Sequence, residues 1–264
     1  MDSYQTLKVE IDARGVASLC LNNPARKNAM SALMMDELTA FAAVAPTTDI
    51  RVVVLSGEGG VFCAGGDLTW MQAQIGADRT GRKAEARRLA MTLRALNEMP
   101  LPLIGRIEGV AMGGGVGMAC VCDVAIAATE ARFGLTETRL GLIPATISPY
   151  VIAKMGEGRA REVFMNARIF KGAEAADLGI AKRAVAPEDI SAAVEAEVAP
   201  YLSLPVGTVG RAKSLARMLG PRIDEDVIEA TIDRLADTWD TEEAREGIAA
   251  FLEKRKPAWA KKED

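Results

Sequence analysis

The chain has 264 residues, of which 49% are apolar and 26% charged, and its net charge is −4. This balance is typical of a globular protein with a full core, and the lack of a long basic run argues against a nucleic-acid or anionic-membrane surface. The sequence has no histidine, which excludes Ser-His-Asp and Cys-His catalysis and histidine-ligated zinc. Acid–base chemistry must therefore come from Asp, Glu, Lys, Tyr or Cys.

The N-terminal part of the chain predicts a hairpin, a helix and a buried strand. Residues 5–22 alternate apolar and polar side chains around Gly15, which predicts a β-hairpin. Ser31 predicts the start of a helix, because an apolar stripe of Met34, Leu38 and Phe41 follows it at helical spacing. The apolar run 51–55 is typical of a strand buried on both faces.

The middle of the chain alternates further strands with helices. A glycine-rich loop over 57–66 precedes a helical stretch to about Met99, and strands are predicted at 101–107 and 121–128. This alternation predicts an α/β fold.

The C-terminal part predicts helices. From about Gly172 the strand signals fade, apart from residues 181–186. We therefore expect an α/β core over residues 1–200 and a helical region over 201–264.

The four cysteines do not form a recognisable metal or redox motif. The spacing of Cys120 and Cys122 is neither that of a C-x-x-C redox pair nor that of a zinc site. We expect the four cysteines, Cys20, Cys63, Cys120 and Cys122, to be buried reduced thiols, three of them in strand-like segments. The N-terminus lacks the basic and apolar regions of a signal peptide, and no apolar run is long enough to span a membrane, which predicts a cytoplasmic protein.

Two glycine clusters follow predicted strands, at 62–68 (FCAGGDL) and at 113–117 (GGGVG). No dinucleotide fingerprint or P-loop is present, so these clusters do not indicate NAD or a nucleoside triphosphate. Glycine after a strand allows the backbone to approach a ligand and to present an N–H group. Two such turns predict a pair of donors for an oxyanion.

The motifs of the chain resemble those of the crotonase, or enoyl-CoA hydratase/isomerase, superfamily. The resemblance covers nearly the whole length and rests on five segments in order: 21–30 (LNNPARKNAM), 62–68 (FCAGGDL), 109–123 (GVAMGGGVGMACVCD), 133–144 (FGLTETRLGLIP) and 246–257 (EGIAAFLEKRKP). It implies a spiral core of ββα turns, with C-terminal helices that assemble a homotrimer or a hexamer built as a dimer of trimers.

The resemblance also implies an acyl-CoA substrate, with no cofactor and no metal. The N–H groups of Gly66 and Gly114 would stabilise the thioester enolate. The residues implied to hold coenzyme A are Arg26, Lys27, Ala64, Gly65, Gly66, Asp67, Leu68 and Gly114, with Phe251 and Lys254 reaching the coenzyme A of a neighbouring subunit.

Glu137 is the candidate acid–base residue. It lies in an otherwise apolar stretch, and such surroundings disfavour the charged carboxylate, which suits proton transfer near neutral pH. Hydratases of the family normally use two glutamates, and Gly117 stands at the position of the other. If the chain there forms a helical turn, a glutamate introduced at 117 is expected to project toward the attacking water.

The segment 142–151 (LIPATISPYV) differs from the family's common I-P-G-x-G-G-T-Q and is similar to bacterial methylglutaconyl-CoA hydratase-like proteins. Ile147, Pro149 and Tyr150 would form a bulkier wall of the acyl pocket. Arg139 faces either a substrate carboxylate or solvent.

The expected activity is the addition of water to, or its removal from, an enoyl-CoA, with a branched acyl group favoured. A Δ3,Δ2-enoyl-CoA isomerase is an alternative, because moving one proton between two carbons needs one carboxylate. A non-catalytic acyl-CoA-binding subunit is a second alternative.

Overall fold

The strands form two sheets. The computed structural model describes residues 4–260. Its strands are β1 (Leu7–Ile11), β2 (Val16–Leu21), β3 (Val52–Gly57), β4 (Leu103–Ile107), β5 (Val110–Met112), β6 (Val124–Ala128), β7 (Arg132–Gly134), β8 (Ile169–Lys171) and β9 (Arg183–Val185). The larger sheet has the order β1-β2-β3-β4-β6-β9, and the smaller has the order β5-β7-β8.

Helices cover and connect the sheets. They are α1 (Ala32–Val44), α2 (Leu68–Gly76), α3 (Arg79–Glu98), α4 (Gly114–Val121), α5 (Ser148–Met155), α6 (Glu157–Phe164), α7 (Gly172–Asp177), α8 (Ile190–Val198), α9 (Val206–Leu219), α10 (Glu225–Trp239) and α11 (Glu242–Leu252). A short 3₁₀ helix at Glu137–Leu140 is called the Glu137 turn below.

The chain alternates between the two sheets, as the expected spiral of ββα turns requires. β4 belongs to the larger sheet, β5 to the smaller, and α4 follows. β6 and β7 repeat the step, and both successive strands pair in parallel with the preceding turn. This confirms the α/β prediction, and it places the loops that follow β3 and β5 next to each other.

The first predicted elements are confirmed. β1 and β2 form the antiparallel hairpin, with Leu7 opposite Leu21. The Ser31 hydroxyl accepts a hydrogen bond from the N–H of Met34 and begins α1. Met34, Leu38 and Phe41 of the predicted stripe are buried in the main core.

The predicted strand at 121–128 is wrong in its first residues. Val121 ends α4, so Cys120 lies in a helix, and β6 begins only at Val124. Three of the first four residues of this helix are glycines, which have low intrinsic helix propensity. Complete burial of its eight residues supplies the stabilisation that propensity does not.

The C-terminal helices are present and pack on the core of the same chain. Ile228 and Ile232 of α10 lie against Ala86 and Ala90 of α3. The Lys213 ammonium of α9 bonds to the Asp123 carboxylate at 2.8 Å, so the aspartate that precedes β6 anchors this helix to the core. The stripe on α10 therefore has its apolar partner within the chain.

Candidate active site

Gly66 presents one unpaired backbone N–H at the loop after β3. The backbone of Met30 is hydrogen-bonded to the residues on both sides of this glycine. Its N–H donates to the Gly65 carbonyl at 2.8 Å, and its carbonyl accepts from the Asp67 N–H at 3.0 Å. Within residues 4–260 the Gly66 N–H has no acceptor, and the residue is exposed. The donor is thus held by its neighbours and left free for a ligand.

Gly114 presents a second free N–H as the first residue of α4. Gly113 before it has φ +49° and donates its own N–H to the Gly134 carbonyl at 2.9 Å. The first N–H groups of a helix have no partner within the helix, and its N-terminus favours negative charge. No acceptor for the Gly114 N–H lies in the described part of the chain.

Cys63 fastens the two donor loops to each other. Its N–H donates to the Val110 carbonyl at 2.8 Å, and its carbonyl accepts from the Met112 N–H at 3.0 Å. The buried Met30 side chain adds a second link, because its Cε packs against the Cα of Gly114 so closely that a Cβ there would overlap it. Two N–H groups on one rigid framework are what an oxyanion hole requires.

The Glu137 carboxylate lies beside the start of α4. Its Oε1 is 2.9 Å from the point where a Cβ on Gly113 would be. Its Oε2 is buried and has no hydrogen-bond partner among residues 4–260, although the residue as a whole is half-buried. Burial raises the pKa of Glu137 from 4.5 to about 7. A carboxyl group with this pKa can accept and return a proton at neutral pH.

Helix α11 supports the Glu137 turn from behind. Gly247 of α11 packs on the turn, since a Cβ there would be 2.5 Å from the carbonyl carbon of Leu140. Gly141 has φ +67°, and a Cβ there would be 2.4 Å from the carbonyl carbon of Glu243 at the start of the same helix. Leu142 and Trp239 join Ile248 in a small apolar cluster beside this contact. The acid–base candidate is thus set between the N-terminus of α4 and α11.

Gly117 has no room for a side chain, which makes the expectation of a projecting glutamate wrong. A Cβ at 117 would be 2.7 Å from Cγ2 and 3.0 Å from Cβ of Ile147, and 3.4 Å from Cδ1 of Leu93. Ile147 is buried, with 2% of its surface exposed. The helical turn is present as expected, but Ile147 and Leu93 fill the space that a side chain at 117 would need.

The proposed coenzyme A residues of the N-terminal motif lie next to the loop 64–68. The Lys27 carbonyl accepts from the Ala64 N–H at 3.1 Å, and the Arg26 guanidinium bonds to the Thr69 hydroxyl at 3.3 Å. Both side chains are exposed. The Asp67 carboxylate caps α2 by accepting from the N–H groups of Thr69 and Trp70. Arg26 and Lys27 therefore add positive charge at the edge of this loop.

Phe251 and Lys254 lie at the end of α11. Phe251 is 53% exposed, and Lys254 is exposed with φ +54°. Their predicted contact with the coenzyme A of a neighbouring subunit remains a prediction. Cys63, Cys120 and Cys122 are buried free thiols, and burial raises the pKa of each to about 12. Cys20 of β2 is a free thiol too, but it is only partly buried, so the prediction of burial is wrong for this residue.

Sequence reasoning did not single out Met30 or Trp70. Met30 stood at the end of a quoted motif, but nothing in that motif indicates that it contacts both donor loops. Trp70 lies with its ring 3.4 Å from the Cβ position of Gly66, and its indole N–H donates to the Glu85 carboxylate at 2.7 Å. Its position one helical turn after Asp67, which caps α2, was the sequence feature that could have placed Trp70 near the loop.

No helix in residues 4–260 is long and apolar enough to cross a membrane. Over the same residues, no group of three or more His, Cys, Asp or Glu side chains is placed to hold a metal ion.

Comparison with known proteins gives one consistent family. The family model described as enoyl-CoA hydratase/isomerase matches residues 12–262. A probable enoyl-CoA hydratase of Rhizobium meliloti is 32% identical over 263 residues, covering 96% of this chain and 97% of the relative. The mitochondrial methylglutaconyl-CoA hydratase of Mus musculus is 29% identical over 266 residues, covering 98% of this chain and 83% of the relative.

Solved structures agree with the sequence relatives. An enoyl-CoA hydratase from Mycobacterium avium superposes with a TM-score of 0.82 at 31% identity and covers 98% of this chain and 100% of its own. An enoyl-CoA hydratase from Shewanella pealeana gives a TM-score of 0.79 at 33% identity, with 97% and 96% covered. The fold is thus shared over nearly the whole chain.

Proposed function

The chain belongs to the enoyl-CoA hydratase/isomerase family, and we propose that it adds water to an enoyl-CoA, or removes it, with Glu137 as the acid–base residue. The observation that carries this proposal is the placement of the enclosed Glu137 carboxylate beside the N-terminus of α4, where Gly114 offers a free N–H. No cofactor enters the proposed reaction.

The proposed addition uses one carboxylate twice. The Glu137 carboxylate takes a proton from water as the water oxygen bonds to C3 of the substrate. The electrons of the C2–C3 double bond move to the thioester oxygen, where the N–H groups of Gly66 and Gly114 stabilise the enolate. The protonated Glu137 then gives its proton to C2 and the thioester carbonyl forms again, so that one water has been added. Removal of water follows the same steps in reverse.

The energetic demand falls on the two N–H donors. An enolate oxygen carries about one negative charge, and the loss of one such donor typically costs roughly 3–4 kcal/mol of transition-state stabilisation. The Gly66 and Gly114 donors belong to loops that are already fixed by Met30 and Cys63, so they need little reorganisation when the charge develops.

For the acyl group, we propose a branched and carboxylated chain of the methylglutaconyl type. The segment 142–151 and the similarity to the mouse methylglutaconyl-CoA hydratase support this choice. Arg139 supports it too, because its exposed side chain makes no ion pair or hydrogen bond with residues 4–260 and follows Glu137 by two positions. A carboxylate on the substrate would provide the missing partner.

For coenzyme A and the assembly, we propose binding along the loop 64–68 with Arg26 and Lys27 near the phosphates. The exposed aromatic ring of Phe251 and the charge of Lys254 support a contact with a neighbouring subunit in a homotrimer or a pair of trimers.

The isomerase alternative keeps one supporting observation. Position 117 offers no second carboxylate, and transfer of a proton from C2 to C4, which converts a 3-enoyl-CoA into the 2-enoyl isomer, needs only one. It would use the same Glu137 and the same N–H donors.

The products formed from three acyl-CoA thioesters decide between these activities. Purified protein is incubated with methylglutaconyl-CoA, crotonyl-CoA and a 3-enoyl-CoA, and the products are separated by liquid chromatography and identified by mass spectrometry. A mass increase of one water supports the hydratase. Formation of the 2-enoyl isomer without a change in mass supports the isomerase, and binding without turnover supports a non-catalytic acyl-CoA protein and would contradict our proposal.

A further inference from the structure

One side of helix α4 faces Glu137 at its first turn and Ile147 at its second. The Gly117 N–H donates to the Gly113 carbonyl at 3.1 Å, so these two glycines are four residues apart on the same turn of helix. A Cβ on Gly113 would point at Glu137 Oε1, and a Cβ on Gly117 would point at Ile147 Cγ2. Because the hydrogen bond between the two glycines spans a single turn, Glu137 and Ile147 lie against adjacent parts of α4.

Position 117 is therefore the place on α4 from which a second carboxylate would reach the region of Glu137. A side chain at 117 would start one turn after Gly113, whose Cβ position meets Glu137 Oε1. The space is closed by hydrocarbon, since Ile147 Cγ2 and Leu93 Cδ1 would be 2.7 and 3.4 Å from the new Cβ.

Ile147 is held firmly in this position. A β-branched side chain has few rotamers. Its backbone is fixed as well, because the Ile147 carbonyl accepts from the N–H groups of Tyr150 and Val151, both at 3.1 Å, as α5 begins. The neighbour of Gly117 is thus a stiff side chain at a fixed helix start, which cannot move aside as the end of a flexible chain would.

We propose that Ile147 closes position 117 to any side chain and so restricts the site to a single carboxylate, Glu137. The inference rests on the proposed function for its chemical consequence. Water in such a site is activated by Glu137 alone, and the wall facing it is apolar. Ile147 is then a specificity-determining residue. It disfavours hydration of straight-chain enoyl-CoA, because that reaction would be faster with a second carboxylate to activate the water.

The steric half of the proposal is tested with Gly117→Ala in three backgrounds. We expect Gly117→Ala to lower Tm by roughly 3 to 10 °C in the parent and in Ile147→Val, because valine keeps the Cβ and both Cγ methyl positions. In Ile147→Gly the same substitution should cost less than half as much. Glycine is acceptable at this helix-capping position, where the backbone has φ −87° and ψ −20°. An equal loss of Tm in all three backgrounds would overturn the proposal.

The chemical half is tested with Gly117→Glu in the same backgrounds, with crotonyl-CoA as the substrate. We expect Gly117→Glu/Ile147→Gly to hydrate it at least tenfold faster than Ile147→Gly alone, and the pH–rate profile to gain a second limb, because two neighbouring carboxyl groups separate their pKa values. Gly117→Glu/Ile147→Val should show no gain.

The outcomes separate this proposal from the proposed function. A folded Gly117→Glu/Ile147→Gly protein without a gain at any pH from 5 to 9, or an equal gain with Ile147→Val, would overturn the role of Ile147. If that variant does not fold, the Gly117→Ala series alone decides. If the parent adds water to none of the three acyl-CoA thioesters, the proposed function fails, and the Tm series still decides whether Ile147 closes position 117.

Discussion

The terminal methyl of Met30 packs against the Cα of Gly114, while the backbone of the same methionine brackets Gly66. One residue thus contacts both loops that supply the proposed oxyanion donors. The relationship joins segments that are far apart in the chain, and it makes the spacing of the two N–H groups depend on the shape of one buried side chain.

Removal of the Met30 side chain should therefore impair enolate binding more than it impairs binding of coenzyme A. For Met30→Ala we expect kcat and the affinity for acetoacetyl-CoA, whose enolate has a distinct ultraviolet absorbance, to fall by about tenfold or more, since a misplaced donor loses much of its contribution. The Kd for free coenzyme A should stay within threefold. Met30→Leu should recover most of the loss.

Met35→Ala is the matched control for Met30→Ala. Met35 is equally buried on α1, and its carbonyl accepts from the hydroxyl groups of Thr39 and Thr92. Both substitutions should cost about 2–5 kcal/mol of stability, but only that at Met30 should weaken acetoacetyl-CoA. The same loss of affinity in both variants would mean that Met30 has no special role.

Glu137→Gln should lower the rate of water addition by about 10²-fold or more, because glutamine keeps the shape and cannot transfer a proton. In the parent, the rate of both water addition and water removal should fall as the pH drops below about 7, since each direction begins with the carboxylate form and burial holds the pKa of Glu137 at about 7. The check is kcat/KM from pH 5 to 9 in both directions. Turnover of the variant within threefold of the parent would end the assignment.

The raised pKa of Glu137 also predicts a pH-dependent stability difference. Below about pH 4.5 the carboxyl is protonated in the folded and unfolded protein, whereas between 4.5 and about 7 only the folded protein keeps the proton. The free energy of unfolding therefore falls as the pH rises through this window, by about 3 kcal/mol in all. Glu137→Gln should remove this penalty. In urea unfolding, it should be more stable than the parent at pH 8.5, with a difference that shrinks toward pH 5.

Arg139→Gln should separate carboxylated from uncarboxylated substrates. If the exposed Arg139 side chain pairs with a substrate carboxylate, its loss should raise KM for methylglutaconyl-CoA by about fivefold to tenfold and leave KM for crotonyl-CoA unchanged. The charge-keeping Arg139→Lys should give an intermediate KM. An equal change for both substrates would show that Arg139 faces solvent or coenzyme A instead.

Gly247→Ala should reduce activity although the residue is remote from the substrate. The added Cβ would be 2.5 Å from the backbone of Leu140, so α11 or the Glu137 turn must move. We expect a lower Tm and a kcat reduced by about tenfold, with little change in coenzyme A affinity. Gly158→Ala on α6 is the control, because its new Cβ meets nothing within 4 Å. It should keep full activity with equal or higher stability.

Local patterns predicted the elements that local physics decides. The alternation around Gly15 and the cap at Ser31 each depend on neighbours within a few residues, and both are confirmed. The apolar run before Val124 was predicted as strand, because its length and composition fit strand as well as buried helix. The segment forms the helix α4 rather than a strand because it is buried on all sides, between β5 and α5.

The contacts that complete the candidate site are not local. Glu137 could be proposed from its apolar surroundings in the sequence, but the absence of room at Gly117 depends on Ile147, thirty positions further along. Likewise, the stripe of Ile228 and Ile232 gave no indication that its partner is α3 of the same chain rather than a second subunit. Tertiary packing of this kind has no signature in periodicity or spacing.

The support of the Glu137 turn by α11 has a consequence for how the protein is made. Leu140 meets Gly247 only after roughly a hundred further residues have been synthesised, because the chain is synthesised from its N-terminus. A nascent chain that has already formed the loops of Gly66 and Gly114 would still lack the wall behind its acid–base carboxyl. The protein would then become catalytically active only when α11 has folded. A ribosome-bound chain stalled before residue 242 should have Gly66 and Gly114 in place and yet show no turnover.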